Sequence, residues 1–135
     1  MEKEYRRDPR RVEEALRKKG IVVVMGRAHV RNAGDVINSV LAIIQAGYVA
    51  ELTFRIPEEI LKEAMSDLLK LRAERYRDQP DDPLILGVGS VINPREMETA
   101  IDLGFDLIVS PDSGMGGFCE KIDSVRMTRE ANVFH

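Results

Sequence analysis

Three times in this 135-residue chain a segment with helical periodicity ends on a glycine that is followed at once by an apolar run. The glycines are Gly20, Gly47 and Gly104, and the runs begin at Ile21, Tyr48 and Phe105. A glycine in this place supplies the left-handed stop of a helix. A short β-branched run suits a strand packed on both faces. A unit of this kind, with a strand roughly every 20 to 35 residues, predicts a parallel α/β fold, either doubly wound or a barrel.

The local signals set the expected elements. Asp8 reads as an N-cap with Pro9 at the first helical position, Val12, Ala15 and Leu16 on one face, and Lys18, Lys19 and Gly20 at the end. Ile21 to Met25 is the first strand, read as buried on both faces. Ala33 to Ala46 carries Val36, Ile37, Val40, Leu41, Ile43 and Ile44 at helical spacing, and Tyr48 to Ile56 follows as the second strand. Pro57 opens a helix striped by Ile60, Ala64, Met65, Leu68 and Leu71. Arg75 to Pro83 reads as a solvated loop within one domain, and Leu84 to Val91 as the third strand. Asn93, Pro94 and Glu96 form a capping start for a helix that closes at Gly104, and Phe105 to Pro111 is the fourth strand. A loop entering a short helix, a second short helix over Val125 to Ala131, and a fifth strand opening at Val133 to His135 complete the reading.

Within this frame, Ala50 to Pro57 (AELTFRIP) is the stretch that carries charge where a core strand should have none. At a period of two, Ala50, Leu52, Phe54 and Ile56 share one face, and Val49, Glu51, Thr53 and Arg55 the other. Alternation alone suits an antiparallel or edge strand with its polar face in water. The surrounding helices and apolar strands call instead for a covered parallel sheet, which would put the carboxylate inside.

Composition narrows the function classes. A hydrophobic share of 44% and a charged share of 32% are those of a soluble globular domain, and no apolar run approaches the roughly 18 residues of a membrane span. MEKEYRRDPRR has no apolar segment behind its basic residues, so no secretory leader is expected and the cytoplasm is the default. Arg6, Arg7, Arg10 and Arg11 alternate with Glu2, Glu4, Glu13 and Glu14 as on a solvated helix face, and net charge is -3, so no nucleic-acid partner is expected. Cys119 stands alone, and His29 and His135 fall at no metal-ligand spacing, so neither a disulfide nor a metal is expected. Gly87 and Gly89 follow an apolar run but lack the third glycine and the acidic residue of a dinucleotide site, and no cofactor is expected.

Taken in order and at their separations, GIVVVMGRAHV, AELTFRIP and GVGSVINPREMETAIDLGFDLIVSP resemble the N-terminal half of the 2-keto-3-deoxy-6-phosphogluconate aldolase family. The resemblance spans roughly residues 20 to 135. It implies a (β/α)8 barrel of TIM type, of which this chain supplies an N-terminal helix (residues 1 to 19) and about four βα units (residues 20 to 135). It implies a class I aldolase, commonly trimeric, that cleaves a phosphorylated 2-keto-3-deoxy sugar acid to pyruvate and glyceraldehyde 3-phosphate through a lysine Schiff base. An aldolase for 4-hydroxy-2-oxoglutarate shares the pyruvate half of that chemistry.

Carried over by position, the resemblance makes Glu51 the general acid and base, a role that suits a carboxylate whose hydration is lost on burial. It makes Arg55 the guanidinium that holds the substrate carboxylate. Ser90 stands where the family has threonine and would donate a hydroxyl to the same group. Thr53 shares the strand face of Glu51 and Arg55 and joins the substrate-binding set, and Arg27 adds positive charge at the barrel mouth. Pro111 is a matter of shape. The open alternatives are a structural Glu51 paired with Arg55 or Arg27, and a surface Arg27.

The Schiff-base lysine of the family belongs to the sixth strand. Lys3, Lys18, Lys19, Lys62, Lys70 and Lys121 all fall in helices or loops in polar company, where an amine keeps a high pKa and forms imines poorly. Gly114, Gly116 and Gly117 read as a loop at the barrel mouth and not as a phosphate cradle. The expectation is therefore a longer natural chain, ahead of a degenerate product or a half-barrel completed by another copy or another chain. A chain whole at this length would be a non-catalytic half-barrel that binds oxo acids or pairs with a partner.

Overall fold

A computed structural model describes residues 4–111 and 121–135. Their helices are α1 (Pro9–Lys19), α2 (Ala33–Gln45), α3 (Glu58–Asp78), α4 (Pro94–Asp102) and α5 (Lys121–Glu130). The strands are β1 (Val22–Val24), β2 (Val49–Thr53), β3 (Leu86–Gly89) and β4 (Leu107–Ile108). The start signals act as their chemistry dictates: the side chains of Asp8, Asn32 and Asn93 accept from the backbone N–H groups of Arg10, Asp35 and Glu96. Gly20, Gly47 and Gly104 all take positive φ, the conformation that turns each helix into its strand.

The strands form one parallel sheet in the order β1-β2-β3-β4. Among the described strands this order has no reversal of the kind that defines a doubly wound sheet. Beyond α5 the chain comes back beside β4. Phe134 N–H donates to the Asp106 carbonyl at 2.9 Å, and Ile108 N–H to the Phe134 carbonyl at 2.8 Å, a parallel bridge where the sequence expected a fifth strand to open.

The two faces of the sheet are covered differently. Ala50, Leu52, Leu86, Val88 and Ile108 point into the main core, against Val36 and Val40 of α2, Leu61, Met65 and Leu68 of α3, and Met97 and Ala100 of α4. Val49, Ile85 and Leu107 point the other way and meet Val12 and Ala15 of α1. The apolar stripe of α1 thus covers part of the second face. β2 lies between β1 and β3 and is buried at all of its positions, so the solvent-facing edge strand that alternation alone allowed is not what forms.

Four expectations are corrected. β1 is not buried on both faces: it has a neighbour on one side only among the described residues, and Ile21 and Val24 are 51% and 60% exposed. Arg75 to Pro83 is solvated over residues 77–81, as expected, but is not all loop. α3 runs on to Asp78, Arg75 donates to the Asp82 carboxylate and carbonyl, and Pro83 is buried. The arginine cluster is only partly solvated: Arg7 donates to the carbonyls of Ile101 and Phe105, and the Arg11 guanidinium lies 5.1 Å from the Tyr5 ring centre and 4.8 Å from that of Tyr76. Finally, the helix expected over Val125 to Ala131 is described over Lys121–Glu130. Gly114, Gly116, Gly117 and Cys119 lie outside the described residues, as does Lys3.

The N-terminal ends of β3 and β4 are tied by a polar cluster that sequence patterning did not anticipate. The Asp106 carboxylate, fully buried, accepts from Arg72 Nη1 at 2.9 Å, from Leu86 N–H at 3.0 Å and from the Tyr5 hydroxyl. Arg72 also donates to the Gly104 carbonyl at 2.7 Å and lies over the Tyr5 ring, 4.1 Å from its centre. Burial and the neighbouring Asp106 charge push the Tyr5 hydroxyl pKa up, so it stays protonated and donates.

Candidate functional site

Among the described residues, Glu51 is the carboxylate that the second face of the sheet brings into its interior. It sits mid-strand in β2, between Val24 of β1 and Gly87 of β3 in the parallel register, and is only 9% exposed. Its side chain extends over Gly89, and a methyl group there would fall on the position of Glu51 Oε1. The glycine is therefore a requirement of the carboxylate's placement and not merely of the strand. The Glu51 carboxylate makes no hydrogen bond or ion pair among the described residues, which removes the reading in which Arg55 or Arg27 neutralises it. Burial alone pushes its pKa above the usual 4.5, as a desolvated carboxylate requires.

Glu51 lines a cavity of about 420 Å³ whose walls include Leu16, Val22, Leu107 and Val109. Ser110 and His135 stand in the same cavity, with Ser110 Oγ and His135 Nε2 hydrogen-bonded at 3.0 Å. Burial holds the His135 pKa below 6.5, so the ring is neutral at pH 7. A partly desolvated carboxylate, a neutral imidazole and a hydroxyl around a small, largely apolar cavity can exchange protons with a polar guest of a few heavy atoms.

Arg55 lies two residues beyond β2 and turns out of this cavity. Its backbone N–H donates to Thr53 Oγ1 at 3.2 Å, so Thr53, buried, serves the turn that ends the strand. Its guanidinium donates from Nη2 to Glu96 Oε1 at 2.6 Å and to the Ser90 carbonyl at 3.2 Å. Ser90 has φ 59°, a left-handed conformation unusual for a residue with a side chain, and this turns its carbonyl towards Arg55. Arg27, exposed in a single 3-10 turn after β1, lines a second cleft together with Arg55, Arg95 and Glu96. The structure thus brings Arg27 and Arg55 together and separates them from the cavity of Glu51, while Thr53 and Ser90 support the Arg55 turn.

Sequence reasoning missed the second task of Glu96. Its Oε2 accepts from Ile92 N–H at 2.9 Å in the manner of a helix-start box, while Oε1 takes Arg55. The capping pattern identifies the acid but not the cation 41 residues away that shares it. His135 and Ser110 carried no spacing signal, because only the return of the chain beside β4 brings them together.

No protein-family model and no curated protein matches this chain. Among the described residues no helix is long and apolar enough to cross a membrane, and no group of three or more His, Cys, Asp or Glu is gathered as a metal site.

Proposed function

We propose that this chain is the N-terminal half of a (β/α)8 barrel aldolase of the 2-keto-3-deoxy-6-phosphogluconate type, acting on a 2-oxo acid whose pyruvate part enters the Glu51 cavity. The observation that carries the reading is the unpaired, buried Glu51 carboxylate, set over Gly89 with a raised pKa. Retro-aldol cleavage needs a group that takes a proton from the hydroxyl of the breaking C–C bond and returns one to the enamine carbon, and such a carboxylate meets that need near neutral pH. The sequential parallel sheet, with α2, α3 and α4 packed on one face, supports the barrel by its geometry.

Arg55 and Ser90, at the carboxyl ends of β2 and β3, are assigned to the substrate carboxylate. Arg55 is held out of the Glu51 cavity by its ion pair with Glu96, so this assignment requires the guanidinium to leave Glu96 and turn back towards the pyruvate part when substrate binds. The Schiff-base lysine is assigned to a later strand of the barrel, and a homotrimer in the cytoplasm is the assembly and setting. Among the described residues no lysine lines the Glu51 cavity, and Lys19 and Lys62 are paired with Asp82 and Glu58. That observation favours a second reading, a non-catalytic half-barrel that binds oxo acids. A 4-hydroxy-2-oxoglutarate aldolase is the nearest enzyme alternative.

Borohydride reduction in the presence of pyruvate, followed by intact-mass measurement of the natural protein, separates these readings. A covalent reduced-pyruvate adduct on one lysine is expected. Saturable pyruvate binding without an adduct would move the assignment to the second reading, and absence of both would overturn both.

A further inference from the structure

The second cleft, about 800 Å³, opens on the main-core side of the strand ends and is distinct from the cavity of Glu51. Each of the first three strand-to-helix connections sends it one arginine. Arg27 follows β1, Arg55 follows β2, and Arg95 follows β3 in the first turn of α4. Three cations brought from three separate connections to one concave surface repel each other and need a reason to be there.

The acids lining the cleft do not balance them. Glu58 faces Lys62 at 3.0 Å, and Glu96 is taken up by Arg55 and the Ile92 N–H. The guanidinium groups of Arg27 and Arg95 make no hydrogen bond or ion pair among the described residues, so two full positive charges stay unmatched. The start of α3 offers backbone donors, although Glu58 and Glu59 stand in its first turn. This 21-residue helix begins after Pro57 with no side-chain cap, leaving first-turn N–H groups free at the positive end of its dipole. Phe54, Ile56 and Pro57 supply the apolar part of the lining, and Asn93 and Thr99 add neutral polar groups.

We propose that this cleft is a binding site for a phosphate-class dianion, held by Arg27 and Arg95 and aided by the free α3 N–H groups. Two forked cations and a helix start match the charge and the several acceptor oxygens of a tetrahedral dianion better than those of a single carboxylate. The site does not depend on the aldolase reading. Its ligand is either inorganic phosphate or the phosphomonoester group of a small molecule.

The test is a calorimetric titration of the natural protein at pH 7.5 with inorganic phosphate, with glycerol phosphate and with acetate. Saturable phosphate binding is expected. Arg95→Gln and Arg27→Gln should each weaken it about tenfold, the loss of one charged hydrogen-bonding partner, and together they should abolish it. Both side chains are exposed and unpaired, so the variants should keep the circular dichroism and melting of the parent. Tighter binding of glycerol phosphate would name a phosphomonoester as the source, and equal binding would name inorganic phosphate. Absence of saturable phosphate binding, or binding unchanged in the double variant, would overturn the site. Glu51→Gln should leave phosphate binding intact, so a failed aldolase reading and a failed anion site give different results.

Discussion

Asp106→Ala should destabilise the fold by about 3–5 kcal/mol, the cost of stranding one member of a buried ion pair. The Asp106 carboxylate is fully buried and serves three donors, Arg72, the Leu86 N–H and the Tyr5 hydroxyl. Its removal leaves a guanidinium with 9% exposure facing an apolar gap, and orphans a backbone N–H at the start of β3. Against a total of about 5–15 kcal/mol for a domain, this is a large share. Tyr5→Phe removes one hydrogen bond but keeps the ring under Arg72, and should cost about 1 kcal/mol. Urea unfolding of the two variants checks both values. A loss for Asp106→Ala no larger than that for Tyr5→Phe would mean that water reaches the site and the pair does not hold β3 to β4.

The prediction also shows where the sequence was silent. The alternation of helix and strand was legible because glycine stops, N-caps and apolar periods are local: Asp8, Asn93 and Gly104 act through neighbours within a few residues. Asp106 was passed over inside an apolar run, and Arg72 within a charged helix, because a buried pair 34 residues apart leaves no periodic trace. The same holds at the site. The face of Glu51 could be counted along β2, and its burial followed from the parallel context. That Arg55 leaves that face could not be counted, since it depends on where Glu96 stands at the start of α4. Alternation ends with the strand at Thr53, and beyond it the turn decides.

A division of labour along the strands follows. The Arg72–Asp106–Tyr5 cluster binds the N-terminal ends of β3 and β4, whereas Arg27, Arg55, Ser90, Arg95 and Ser110 follow the carboxyl ends of their strands. Parallel α/β sheets place ligands at the carboxyl ends, where successive connections converge. Strong pairing at one end leaves unpaired charge at the other free to meet a guest.

Glu51→Gln should make the protein more stable at neutral pH while removing its proposed proton transfer. The sign follows from the raised pKa of the folded state. Between the usual 4.5 and the higher folded value, the folded chain holds a proton that the unfolded chain has released. Stability therefore falls as pH rises through that window. Below pH 4.5 both states are protonated, and the parent should lie near the variant; above the window the parent pays for a buried, unpaired charge that glutamine does not carry. Unfolding midpoints of the two proteins from pH 4 to 8 should diverge as pH rises, with the variant higher. Parallel curves would place Glu51 in water. In the proposed function the order reverses: if Glu51 is the general acid and base of the proposed aldolase, its loss should slow pyruvate trapping and aldol cleavage by about 10²–10⁴-fold. Gly89→Ala separates the carboxylate's position from its charge. The added methyl takes the place of Glu51 Oε1, the far end of a flexible side chain, so the carboxylate swings away at small cost to the fold. This variant should keep its glutamate and still lose the activity; full activity in Gly89→Ala would mean that the place of Glu51 over Gly89 is not the working one.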